Sequence, residues 1–212
     1  MTRLLDVGLE QLTVLIYKMG EVAEKAINVS ITRFMNGEDA TKTVRDISDI
    51  LATMTVEVEN KAFELIAKYQ PVASDLRIIN SYMKIAYDFE RYGRYAWDIS
   101  FAHKKLTGLD KCAGSSDLMQ KLAATVCRMV GDSVQALKLN DEAKAKGLAK
   151  IENEADELYF EYLDQLLKTK TRSRCVMCNL LVSRYLERIA DHATYVGEAI
   201  VYISTGEKVS LR

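Results

Sequence analysis

Apolar residues recur every three or four positions through most of the chain. Leu5, Leu9, Leu12, Ile16, Met19, Ala23 and Ala26 form one such run, and Val182, Leu186, Ile189, Ala193, Val196, Ile200 and Ile203 form another. This spacing puts each run on one face of an amphipathic helix. No two-residue alternation bounded by turn signals occurs, so no strand is predicted. Interruptions are few, with one proline in 212 residues. Asn36-Gly37 reads as a helix stop, Gln70-Pro71 as a junction with the proline suited to a first helical turn, and Asn140-Asp141 and Lys168–Ser173 as turns. Six helices follow, at about 1–35, 39–69, 71–105, 116–139, 142–168 and 172–204. A helix of about 30 residues is roughly 45 Å long, and long helices on short links pack antiparallel. The expectation is an all-α fold of two tandem three-helix bundles, side by side.

An internal repeat accounts for the pairing. Phe89–Ala96 reads FERYGRYA and Leu186–Ala193 reads LERIADHA; Glu90 and Glu187 are 187 − 90 = 97 positions apart, and Arg77 and Arg174 keep that offset. Self-similarity at this distance marks a duplicated module. The expected division is residues 1–108 and 115–212, with Thr107–Ser116 (TGLDKCAGSS) as the linker.

Composition narrows the class. About half the residues are apolar and the net charge is −1, an ordinary globular balance. With no basic tail or aromatic-basic stripe, nothing argues for nucleic acid. No apolar stretch reaches the roughly 18 residues that would suggest a membrane span. The opening MTRLLDVGLEQL lacks a signal-peptide core, so a cytoplasmic location is expected. Cysteines stand at 112, 127, 175 and 178, the last two as CVMC. A lone CxxC is weak evidence for redox or zinc chemistry. Small buried residues on helix faces, unpaired in a reducing interior, are the simpler expectation.

Two segments resemble a known family. AKYQPVASDLR (67–77) with KIAYDFERYG (84–93) resembles the first signature of PhoU proteins, and SRYLERIADHA (183–193) the second; YISTG (202–206) is similar to the end of the family's last helix. The resemblance spans essentially the whole chain. It implies a regulator rather than an enzyme, acting at the inner face of the membrane. Such a protein restrains phosphate uptake and phosphate-starvation signalling through the transporter's ATPase subunit and a sensor histidine kinase. It also implies metal binding on the bundle surface by paired ExxxD helices in some members.

Acids at i and i+4 share one helix face, and two such helices can gather four carboxylates that need a cation or basic neighbours. In the second repeat Glu187 and Asp191 supply one pair, and Glu152 and Asp156 the other. Oxygen donors of this kind suit a divalent ion or iron; the competing reading is a surface acid patch balanced by Arg184 and Arg188. His192 follows Asp191 and so points about 100° away, as a partly exposed or capping residue. The first repeat departs from the family. Arg94 replaces the second acid, the facing positions fall near Ser48 and Ala52, and Asp46 and Asp49 are out of register. Glu90 and Arg94 are expected to form an i,i+4 ion pair, with Arg94 standing in for a metal. Binding roles are assigned to Asp75, Arg77, Glu90, Arg91 and Arg188; locally, Asp75 is expected to accept from backbone near a helix start, and Arg77 to brace Glu90 or Asp88.

The leading function is therefore a non-catalytic phosphate-signalling adaptor, with no nucleic-acid partner and with helix edges compatible with a homodimer. A related module serving another ion transporter or channel is the alternative. A carboxylate-bridged metalloenzyme is disfavoured, because Glu-x-x-His pairs are missing: Ala190 stands three after Glu187, and Ser100 three before His103.

Overall fold

The computed structural model describes residues 3–109, 116–169 and 173–211. Six α-helices run in order, α1 (Leu4–Asn36), α2 (Thr41–Tyr69), α3 (Ala73–Thr107), α4 (Asp117–Leu139), α5 (Glu142–Lys168) and α6 (Arg174–Thr205). The predicted boundaries agree within a few residues. Helix α3 starts two residues beyond Pro71, because Gln70 closes α2 in the left-handed conformation (φ 47°) and Val72 remains extended. Most of the expected linker lies outside the described residues.

The helix ends are set by local chemistry. Ser116, Asp141 and Ser173 precede α4, α5 and α6 and accept from the backbone N–H groups of Met119, Lys144 and Val176, satisfying donors that the helix leaves free. Gly37, Gly108 and Gly206 end α1, α3 and α6 with φ of 73°, 64° and 78°, a conformation favourable to glycine.

The apolar stripes read from the sequence point inward. Leu12, Ile16, Met19, Ala23 and Ala26 of α1, and Val182, Ile189, Ala193, Val196 and Ile200 of α6, are buried. Close approach depends on small residues. A β-carbon at Gly93 would lie 2.5 Å from Leu51 Cδ1 on α2, so glycine sets the α2–α3 spacing there. Helices α1–α3 form one bundle and α4–α6 the other. Contacts of α3 with α6 and of α1 with α4 join them into a shared core.

Helices α3 and α6 cross this seam antiparallel. Arg77, near the start of α3, meets Tyr202, near the end of α6; further along, Tyr95 meets Tyr185. The cysteines depart from expectation in one respect. Cys178 is buried and Cys127 half-buried, both as free thiols, whereas Cys175 is disulfide-bonded. Cys178 being free, CVMC is not itself a bonded pair. Cys175 sits in the first turn of α6, at a bundle end, while Cys178 one turn later faces the core. Cys112 lies outside the described residues.

Candidate functional site

Glu152 and Asp156 on α5, and Glu187 and Asp191 on α6, each lie one helical turn apart. Glu152, Glu187 and Asp191 are buried, and Asp156 is half-buried. Arginines share this face. Arg184 Nη1 is 2.6 Å from Glu187 Oε1, and Arg188 Nη1 is 3.2 Å from Asp191 Oδ2. Arg188 Nε stands 4.0 Å from Glu187 Oε2, too far to donate a hydrogen bond, and that oxygen is buried without a hydrogen-bond partner. Burial pushes the Glu187 carboxyl upward, and the neighbouring charges of Asp191 and Asp156 add to the rise; Arg184 and Arg188 oppose it. Glu187, Asp191 and Asp156 thus share one electrostatic neighbourhood. Among the described residues, no group of three or more His, Cys, Asp or Glu side chains converges as a metal site.

The first repeat carries ion pairs at the corresponding place. Arg94 Nη2 is 2.7 Å from Glu90 Oε1, as the i,i+4 spacing predicts. On α2, Asp46 pairs with Lys42 and Asp49 with Arg45, and Ser48 packs its backbone near Gly93. These acids are met within their own helix rather than turned toward Glu90.

Asp75 and Arg77 have other partners than expected. Asp75 lies in the first turn of α3 and pairs with Arg3 at 3.3 Å, tying the start of α1 to that of α3. Arg77 braces neither Glu90 nor Asp88. Its guanidinium lies 5.8 Å over the Tyr202 ring, close to Gly206, where a β-carbon would come within 2.5 Å of Nη1. The antiparallel seam carries Arg77 to the end of α6, away from the acids further along its own helix. Arg91 donates to the Tyr95 hydroxyl at 3.1 Å and lies over the rings of Tyr95 and Tyr87, 5.1 and 6.0 Å from their centres.

The contact that the sequence reading missed is between His192 and Asp88. His192 is not a cap. Its Nδ1 lies 2.7 Å from Asp88 Oδ1 across the seam, and the rings of Tyr87, Tyr95 and Tyr195 surround it at 6.3, 5.7 and 5.5 Å. The repeat offset holds a signal for it: 185 − 88 = 97 and 192 − 95 = 97. Exchanging the two repeats therefore turns the Asp88–His192 pair into Tyr185–Tyr95, which stack at 6.1 Å.

These residues build a helical scaffold of two fused bundles, with Arg184 and Arg188 set beside the buried acids of α6. The chain belongs to the PhoU family: the model of the PhoU domain matches residues 16–102 and again 119–200. It is 34% identical to the phosphate-specific transport system accessory protein PhoU homolog of Clostridium acetobutylicum, over 100% of this chain and 99% of that one. The PhoU homolog of Archaeoglobus fulgidus is 28% identical over 92% of this chain and 91% of its own. The crystal structure of PhoU from Pseudomonas aeruginosa superposes with a TM-score of 0.90 at 26% identity, covering 95% of this chain and 99% of that one. This is a family of regulatory accessory proteins, not of enzymes. No helix among the described residues is long and apolar enough to cross a membrane.

Proposed function

We propose that this protein is a non-catalytic adaptor that restrains phosphate uptake and phosphate-starvation signalling. It does so by binding the phosphate transporter's ATPase subunit and a sensor histidine kinase at the inner face of the membrane. The observation that carries this reading is the match along the full length of a phosphate-transport accessory protein. The surface chemistry is consistent with it. Arg91 lies against Tyr87 and Tyr95 at the α3–α6 seam, and arginine and tyrosine are enriched where proteins hold one another. The test is affinity purification from native cells grown in high and low phosphate, with membranes solubilised. Recovery of the ATPase subunit or the kinase, varying with phosphate, supports the adaptor; recovery of a different ion transporter instead would keep the module and change its client.

A second reading places a divalent ion or iron on the acidic face of the second repeat, held by Glu152, Asp156, Glu187 and Asp191. The buried Glu187 Oε2 without a hydrogen-bond partner favours it, and four carboxylates are the right donor type. Bound there, the ion would neutralise the acids and crosslink α5 to α6. Against it, Arg184 and Arg188 already supply positive charge. Metal analysis of protein purified without chelators decides. About one ion per chain, lost in Glu187→Gln, supports the reading; two equivalent ions would overturn the assignment of Arg94 as a substitute cation in the first repeat.

A further inference from the structure

A cleft of about 550 Å³ opens where α3, the end of α6 and the chain beyond α6 meet. That volume lies within the range of small-molecule sites. The segment after α6 forms one wall. It turns at Gly206, sets Lys208 Nζ 6.0 Å from the centre of the Tyr202 ring, lines the cleft with Val209, and donates from Leu211 N–H to Glu198 at 2.9 Å.

The charges around this cleft are unequally satisfied. Of its carboxylates, Asp88 is engaged by His192 and Glu198 accepts from Leu211; Glu59 is exposed at the rim. Two cations line it, Lys84 on α3 and Lys208 on the returning segment, and a third, Arg77, lies over the ring of the lining Tyr202 without itself lining the cleft. None of the three is in an ion pair with a described carboxylate, although elsewhere most ion pairs are short and direct. Two buried polar atoms also lack partners: Arg77 Nε, and the hydroxyl of Ser81, a cleft residue with 0% exposure. Polar atoms of this kind normally find a partner in a folded protein. Aromatic rings complete the wall, from Tyr87, Tyr195 and Tyr202.

The duplication supplies an internal control. Shifting by the 97-residue offset, Ser81 corresponds to Cys178, Lys84 to Leu181, and Tyr202 to Lys105. Asn80 and Glu198, also in the cleft, correspond to Met177 and Phe101. At these five positions the shared fold does not require the cleft's residues, since the other copy carries different ones; Tyr87, Asp88 and Tyr195 correspond to Arg184, Tyr185 and Asp98, which remain polar or aromatic.

The geometry points to this cleft as a binding site for a mononucleotide, its phosphate taken by Lys84 and Lys208 and its base set against the tyrosine rings that line it. Ammonium groups make strong, charge-assisted hydrogen bonds to phosphate, and tyrosine rings stack bases with little regard to sequence. The ring-bearing ligand follows from the three tyrosines that line the cleft, which an inorganic phosphate would not engage. This site lies apart from the acidic face of the second repeat and does not depend on the adaptor reading.

Isothermal titration of the purified full chain, in phosphate-free buffer, tests the proposal with four probes: AMP, ATP, adenosine and inorganic phosphate. The expected result is saturable binding of AMP or ATP at one per chain, with adenosine and phosphate each weaker by about tenfold or more. Lys84→Gln with Lys208→Gln should weaken AMP by about tenfold, while Lys121→Gln, on α4, leaves it unchanged. Both lysines are exposed, so the variants should keep their far-ultraviolet helix signal. Absence of saturable AMP and ATP binding at millimolar concentration would overturn the proposal, as would binding indifferent to the lysine changes. Phosphate binding as tightly as AMP would overturn the ring-bearing ligand. The purification described above can fail while nucleotide binds, so the two readings are separately testable.

Discussion

His192 on α6 and Asp88 on α3 meet across the seam between the two repeats, with Nδ1 and Oδ1 2.7 Å apart and the carboxylate 8% exposed. The pair joins one bundle to the other at a place where the remaining contacts are largely aromatic. Removing one member leaves a buried polar group without a partner, which costs about 1–3 kcal/mol. His192→Ala is therefore expected to lower stability by about that amount, measured by urea unfolding.

The same carboxylate gives a pH dependence. Burial, the largest influence, raises the Asp88 pKa above its ordinary 3.8, while the hydrogen bond and charge of His192 oppose the rise. A carboxyl raised by folding binds protons more readily in the folded state. Its contribution to stability is thus fully present below pH 3.8 and is lost as pH rises through the higher folded value. Asp88→Asn removes this titration. Comparing the variant with the parent from pH 3.5 to about 7 by urea unfolding should show the parent's stability falling relative to the variant's as pH rises.

Asp39 behaves in the opposite sense. It accepts from Lys104 Nζ at 2.7 Å, and from the hydroxyl and backbone N–H of Thr41 at 2.7 and 2.9 Å. Those hydrogen bonds, that from Lys104 foremost, hold its pKa at about 2 rather than 3.8. Its stabilising contribution is present above pH 3.8 and is lost as pH falls toward 2. Asp39→Ala should cost about 1 kcal/mol at neutral pH, the size of a lost helix-start acceptor, and less near pH 2. The side chain is 38% exposed, so solvent screening keeps the effect small.

Gly93 tests the packing of the first bundle. Its missing side chain leaves space for Leu51 Cδ1, and a β-carbon would sit 2.5 Å from that atom. Gly93→Val should destabilise by about 1–3 kcal/mol through overpacking. Combining it with Leu51→Ala should recover part of the loss, a non-additivity that a double-mutant cycle reads directly.

The free thiols should be unreactive in the folded protein. Burial pushes Cys178 up to about 11, and burial with the charge of Glu24 does the same for Cys127. At pH 8 the thiolate fraction, which controls reactivity, is then about a hundredfold below that of an ordinary cysteine. Site-resolved mass spectrometry after brief treatment with a thiol reagent should find Cys127 and Cys178 largely unlabelled, and labelled once the protein is unfolded.

What the sequence determined by itself was local and periodic. The three- and four-residue recurrence of apolar side chains named the buried faces of α1 and α6, since a helix places such residues on one stripe whatever surrounds it. Gly37 and Asn140 marked two of the helix stops, and the 97-residue offset marked the duplication. The Glu90–Arg94 pair was also legible, because its partners share one helix turn. The tertiary structure decided everything that depends on how α3 meets α6. Their antiparallel crossing takes Arg77 to Tyr202 rather than to Glu90 or Asp88, and brings His192 to Asp88, residues 104 positions apart. It also gathers Lys84, Tyr202 and Lys208 around one cleft. Periodicity fixes which face of a helix is buried, but not which helix lies against it or in what register. That choice is made by the fit of small and large side chains along the seam.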